Sequence, residues 1–430
     1  MPIQAIRSLF GQTMRSGPFS IAPEWKVLGG FGVIMVLSGG ALWGSTLGIF
    51  LAPLEHALGW SQTQIYLGVS ITFLMTPVFA LLVGWLLDHG HARRIIIGSI
   101  LLEALVFFGM SRMGQSIGAY YVLCILMFGT VLGVTPVPLT AVINSWFVDK
   151  RGLALGILFS LNYAGSMVAP LAALALIEHL GWRNAYAAFG VTVLLLATFA
   201  ALFWVRVNPE QKLPAVEIAN PENRVATVDV APPKAAGGQR SALLAAIRQK
   251  EFLIIAIWLV LYGYSFNSIS FHLVPMLEEY GLSTTKAALA QGLVGFGGLT
   301  GNLLAGVLLD RVRASRLATL FALFPLVGIV MLAVWPSQAS GYIMAVSLGL
   351  AVGSEGTILM YLGGRLFAPA ILGTVMALLV IVVTIGAASG PAIASLLHGH
   401  FGSYHQLLVL NALTFLVSAL LPLGLKAYRY

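Results

Sequence analysis

Two carboxylates lie where a carboxylate is costly. Glu355, in AVGSEGTIL, and Glu103, in ILLEALV, are the only acidic residues deep inside long apolar runs, and no Lys or Arg accompanies them there. A charged side chain at the centre of a bilayer costs on the order of 2.5–3.5 kcal/mol on insertion scales, so such a residue is a functional candidate. A carboxyl kept from water can hold a proton near neutral pH, which makes proton carriage its natural chemistry. A third pattern is the stretch LYGYSFNSISFH. Tyr264, Ser268 and His272 recur there at every fourth position, with Asn267 and Phe271 beside them. At helical spacing this is one continuous polar and aromatic row, which either lines a hydrophilic cavity or bonds neighbouring helices. His272 falls near the outer end of its helix, where an interfacial role is equally open.

These residues need helices to hold them. Hydrophobic residues make up 59% of the 430-residue chain and charged residues 9%. So few charges cannot cover a water-soluble protein of this size, and lipid is the expected solvent. Twelve apolar runs are long enough to span a bilayer, at 27–54, 63–87, 93–112, 117–143, 152–178, 184–206, 251–276, 286–309, 316–336, 341–364, 370–397 and 406–426. The expected organisation is a tail at 1–26, a six-helix bundle at 27–206, a polar linker at 207–250, a second bundle at 251–426 and a tail at 427–430. The first tail carries Ile3, Ile6, Leu9 and Phe10 at helical spacing, which fits either a short surface helix or a frayed end. Of the loops on the odd-numbered side, only those with Arg112, Arg183 and Lys286 hold Lys or Arg. The positive-inside rule therefore places both termini and the linker in the cytoplasm, and the protein in the cytoplasmic (inner) membrane. In this register Glu355 lies about 14 residues, or roughly 21 Å, into the tenth helix. Glu103 is midway along the third, where a neutral acid tying helices together is the simpler role.

The second half of the chain repeats the first. GWLLDHGHARRI begins at Gly84 and GVLLDRVRASRL at Gly306; LAPLEHALGWSQT at 51–63 aligns with LVPMLEEYGLSTT at 273–285; Gly165 matches Gly386, and Pro170 matches Pro391. Two parallel repeats of six helices follow, related by an axis along the membrane normal. Each Asp/Arg cassette falls between the second and third helix of its half. Asp88 with Arg93 and Arg94, and Asp310 with Arg311 and Arg316, are expected to latch the cytoplasmic side when that side is closed, through bonds to helix ends.

Twelve spans, two six-helix halves and the pattern G-x-x-x-D-x-x-x-x-R/K in both second-to-third loops resemble the major facilitator superfamily. The resemblance implies an all-α membrane protein with twelve transmembrane helices in two pseudo-symmetric six-helix bundles. It also implies alternating access, with the first, fourth, seventh and tenth helices lining the cavity. SWFVDKRGLALGI at 145–157, GWRNAYAAFG, GSEGTILMYLGGRLF and GAASGP further resemble bacterial members of the monocarboxylate porter and oxalate–formate antiporter group. That group often places an Arg and an Asp in the eighth helix. This chain has Asn302 and Gly298 at those positions.

The expected site comprises Glu355, Tyr264, Asn267, Ser268, Asn302, Gln291, Asn162, Tyr163 and Trp43. Pro136 and Pro138 mark bends in the fourth helix, and Arg365 is a further group able to attract an anion. No metal, cofactor or nucleic acid is expected. HGHARR and HGHFGSYH lie in loops, no nucleotide-binding G-x-x-x-x-G-K-S/T loop occurs, and the one cysteine, Cys124, sits in an apolar run. The expected partners are a small solute, protons and the lipid bilayer, and a monomer is expected. The leading reading is proton-coupled uptake of a small, monocarboxylate-like organic acid. Two alternatives stay open: a proton-driven exporter of lipophilic compounds, and a membrane sensor that uses the fold without transport.

Overall fold

The computed structural model describes residues 23–89, 91–134, 137–147, 151–205, 244–367 and 369–425. Most of both expected tails, most of the linker and Pro136 lie outside the described residues. Every apolar run forms a helix, and the helices are α1 to α12. α1 is in three pieces, Pro23–Val36, a π-helical turn Gly40–Gly44, and Leu47–Leu58. α2 is Gln62–Leu74 followed by Thr76–Asp88, α3 is Ala92–Ser111, and α4 is Ile117–Val134 with Val137–Trp146. α5 and α6 share the run Arg151–Thr192, divided at Gly181, and α6 continues through Val193–Ala197 to Thr198–Phe203. The second half holds α7 (Lys250–Glu279), α8 (Thr284–Leu309), α9 (Ala314–Val334), α10 (Gln338–Leu366), α11 (Pro369–Phe401) and α12 (His405–Leu420). Among the described residues ten helices are long and apolar enough to cross a membrane, the two-piece α2 makes an eleventh, and Ala154–Phe203 counts there as one. Its division at Gly181 completes the twelve.

Local chemistry sets the ends. Ser61 and Ser337 form capping boxes with Gln64 and Ser340, and Ser283 accepts from the Lys286 N–H. Each satisfies N–H groups that a helix start leaves unpaired. The four glycines with positive φ, Gly59, Gly181, Gly281 and Gly402, turn the chain between helices. They fall into two pairs, Gly59 with Gly281 and Gly181 with Gly402, at the repeat's own spacing. The duplicated halves therefore share turn geometry as well as sequence. The first and second spans are broken. Ser38, Gly39 and Gly40 interrupt α1, and Pro77, which lacks an N–H, opens the second piece of α2 at a bend of 41°.

Lipid gives helices no hydrophobic reason to associate, so close backbone packing at small residues does that work. A Cβ on Gly165 of α5 would overlap the Val36 carbonyl oxygen of α1, and a Cβ on Gly386 of α11 would overlap that of Val260 on α7. α8 and α10 interlock the same way through Gly297, Gly301, Gly349 and Gly353. The halves meet along two seams. In one, Gly292 and Gly295 of α8 lie against the Met167 and Tyr163 backbone of α5. In the other, α11 packs along Gln62–Leu74 of α2 and barely touches Thr76–Asp88.

Candidate functional site

Glu355 opens into a crevice inside the second half. It shares a cavity of about 180 Å³ with Trp258 and Tyr262 of α7, Ala318, Phe321 and Ala322 of α9, and Ala351, Ser354 and Ile358 of its own helix. The indole Nε1–H of Trp258 and the hydroxyl of Tyr262 are buried there without hydrogen-bond partners. Leaving a buried donor unpaired costs about 1–3 kcal/mol. A carboxyl and two idle donors around one cavity form a place where a proton, or a water bearing one, can be held. Neither aromatic was singled out by sequence. Their signal was the four-residue spacing Trp258–Tyr262, one register away from the Tyr264 row.

Other expected site residues work as ties in this arrangement. Tyr163 reaches from α5 across the seam. Its ring fills the space over Gly298, and its hydroxyl donates to the Val352 carbonyl at 3.3 Å, three residues from Glu355. No side chain fits at position 298 while that ring is there, which accounts for glycine where the resembling group carries Asp. Asn302 accepts from the Thr357 hydroxyl at 2.9 Å, joining α8 to α10. Asn162 donates to the Met35 carbonyl at 3.1 Å and to the Ser38 hydroxyl at 2.8 Å, and so braces the break in α1. Ser268 bonds Asn411 of α12 at 2.9 Å, and Asn267 bonds its own helix at the Gly263 carbonyl. Gln291 and Trp43 are buried, and the Trp43 Nε1–H has no partner among the described residues. Glu355 is thus the residue of the set that faces a cavity. Arg365 stacks on Tyr361 at 5.4 Å.

The two faces of the bundle differ. On the face opposite the Lys/Arg-rich loops, the halves are clasped. The Tyr66 hydroxyl of α2 donates to the Phe271 carbonyl of α7 at 2.7 Å, and its ring lies 3.9 Å from that of His272. Gln62 bonds the Tyr404 hydroxyl. The Glu279 carboxylate accepts from the Tyr404 N–H and pairs with His398, both at 3.0 Å. The sequence shows Gln62, Glu279, His398 and Tyr404 only as scattered loop residues, 342 positions apart for Gln62 and Tyr404. On the basic face, Asp310, Arg311, Arg316 and Arg94 are exposed, and none is in an ion pair among the described residues. Arg93 donates to the Leu202 carbonyl at the end of α6 at 2.9 Å, and the Asp88 side chain lies outside the described residues.

Glu55, at the end of α1 beside this clasp, gives it a pH dependence. Partial burial raises its pKa, opposed by His56, His398 and the Gln62 N–H. A carboxyl that holds its proton more readily in the clasped arrangement than in water favours clasping while protonated. That contribution is lost as pH rises through its raised value. Hydrogen exchange in peptides covering 48–66 and 398–408, corrected for intrinsic rates, should therefore quicken as pH rises above the ordinary carboxylate range. Glu55→Gln should flatten that dependence.

A family model of the Major Facilitator Superfamily matches residues 31–388. The uncharacterized MFS-type transporter YcxA of Bacillus subtilis (strain 168) is 25% identical over 64% of this chain and 62% of its own. Monocarboxylate transporter 12-B of Danio rerio is 27% identical over 50% of this chain and 47% of its own. The chain thus spans less than two thirds of the length of these curated relatives. Among solved structures, a mutant of the nucleoside transporter NupG superposes with a TM-score of 0.69 at 12% identity, covering 93% of this chain and 99% of that one. At that identity the likeness is one of fold.

Proposed function

This chain belongs to the Major Facilitator Superfamily, and on that premise we propose that it is a proton-coupled transporter importing a small, monocarboxylate-like organic acid across the cytoplasmic membrane. The observation that carries the reading is the Glu355 crevice, a mid-membrane carboxyl facing two unpaired aromatic donors. It lies three residues from the carbonyl that Tyr163 grips across the seam. A proton arriving at Glu355 removes a charge from beside that grip, and this ties protonation to how the halves sit. The Danio rerio relative named as a monocarboxylate transporter supports the solute class. The solute itself would bind between the bundles, along the seam where Tyr163 of α5 meets α8.

The basic face is cytoplasmic in this account, and the Asp/Arg cassettes close it when the opposite clasp opens. A charge-assisted contact contributes about 1.5–3 kcal/mol. Asp310→Asn is therefore expected to bias the protein toward the arrangement seen here and to weaken apparent solute affinity from the opposite side about tenfold. Uptake kinetics with unchanged thermal stability would show it.

The test is a panel. The purified chain in liposomes under an inward proton gradient is offered labelled monocarboxylates, amino acids and lipophilic dyes. Accumulation of a monocarboxylate, abolished by a protonophore, is the expected result. Dye expulsion against the proton gradient would replace uptake with export, and no movement of any solute would favour a sensor.

A further inference from the structure

The break in α1 has a carboxyl on its far side. Asn162 of α5 braces one flank of Ser38, while Glu103 of α3 stands on the other. A methyl group on Gly39 would sit 2.8 Å from the Met127 sulfur and 3.0 Å from Val131, both of α4, and 3.6 Å from the Glu103 Oε1. Glu103 is 1% exposed, and its Oε1 is buried without a hydrogen-bond partner. It is packed at the junction of α1, α3 and α4. Glu355 lines the crevice formed by α7, α9 and α10. Under the repeat these are corresponding three-helix junctions, one in each half.

The two carboxyls are not copies of one residue. At the repeat offset Glu103 aligns with Pro325, and Glu355 aligns with Gly133. The third helix supplies the acid in one half and the fourth helix supplies it in the other. A packing residue inherited through duplication would recur in register. An acid placed at the corresponding three-helix junction of each half, from different helices, points to a shared requirement for the carboxyl itself.

Among the described residues, no titratable group faces Glu103 from the helices around it. Tyr120 of α4 donates to the Ile65 carbonyl of α2, Cys124 lies against Gly68 of α2, and Tyr186 of α6 stacks on Phe50 at 3.9 Å. Tyr163 of α5 is turned to Val352. Arg183 bonds the Ser111 and Met113 carbonyls, eight or more residues along α3, or about 12 Å away. Arg93 is at the other end, about 15 Å away. With no cation to pair with, the carboxyl's available ligand is a proton. The gate to it is the α1 break, because a π turn is a defect at which a helix shifts register without unfolding.

We infer that Glu103 is a second proton-binding site, sealed and opened by the break in α1.

The test reads the carboxyl directly and needs no solute. Infrared spectra of the purified full chain carrying Glu55→Gln, which removes the clasp carboxyl, are recorded in lipid from about pH 5 to about pH 10, spanning the range reached by buried carboxyls. The protonated-carboxyl carbonyl band should contain two components that shrink with rising pH. Glu103→Gln should remove one and Glu355→Gln the other, so failure of either site is seen separately. Glu103→Asp should shift its component and keep its titration. Should Glu103 variants fail to fold, the same titration of the single remaining component in Glu355→Gln answers the question. A Glu103 component that persists unchanged across the pH range, or a band that Glu103→Gln leaves intact, overturns the inference.

Discussion

Glu355→Gln is expected to abolish proton-driven accumulation while leaving solute exchange. A gradient of about one pH unit supplies about 1.4 kcal/mol per proton, enough for a roughly tenfold concentration ratio in a one-proton symport. Glutamine keeps the volume and the hydrogen-bonding reach of the side chain but has no proton to give up. The ratio should fall to about one. Counterflow of labelled against unlabelled solute should continue, since exchange needs the halves to rock but no net proton movement. Gating by Tyr163 supports this split: its bond is to the Val352 backbone, which the substitution leaves in place. Accumulation at the wild-type ratio with unchanged pH dependence would remove Glu355 from the mechanism.

The second large effect is on stability. Gly165→Ala and Gly386→Ala each drive a methyl group into a carbonyl oxygen of the facing helix, Val36 and Val260 respectively. Backbone cannot swing aside as a flexible side chain can, so each should cost about 1–3 kcal/mol or more and reduce folded yield. Gly98→Ala and Gly399→Ala are the contrasting pair. Nothing lies within 4 Å of a Cβ at either position. There the exchange should be neutral or stabilising by up to about 1 kcal/mol, since alanine is the better helix former. Thermal unfolding in detergent, followed by size-exclusion fluorescence, would order the four. Equal losses at all positions would mean that the α1/α5 and α7/α11 contacts do not set the packing.

Those two glycines also show what the sequence makes legible. Their pairing at the repeat offset is visible in the letters, and so is the matching of Gly59 with Gly281 and Ser61 with Ser283. The structure gives each pair one job in both halves. Spans are legible because lipid demands long apolar runs and closed backbone hydrogen bonding. Breaks inside spans are less so. Gly39–Gly40 and Pro77 are ordinary membrane-helix residues until a neighbour such as Asn162 is seen bracing the gap. Glu355 and Glu103 were visible by type, but the side of the helix each faces depends on rotation, which an almost wholly apolar run does not record. Ser268 illustrates the same gap. Its row is polar, yet its hydroxyl belongs to Asn411. The clasp was hidden because it gathers Gln62, Tyr66, His272, Glu279, His398 and Tyr404 from four helix ends.

The central claim is that solute and proton cross together through Glu355. Vesicles holding the purified chain and a trapped pH dye, with no starting pH gradient, would be given the accumulated solute on the outside. The account predicts saturable internal acidification, beyond that in protein-free vesicles, at a fixed ratio of protons to solute and absent in Glu355→Gln. Solute entry with no accompanying proton would contradict it.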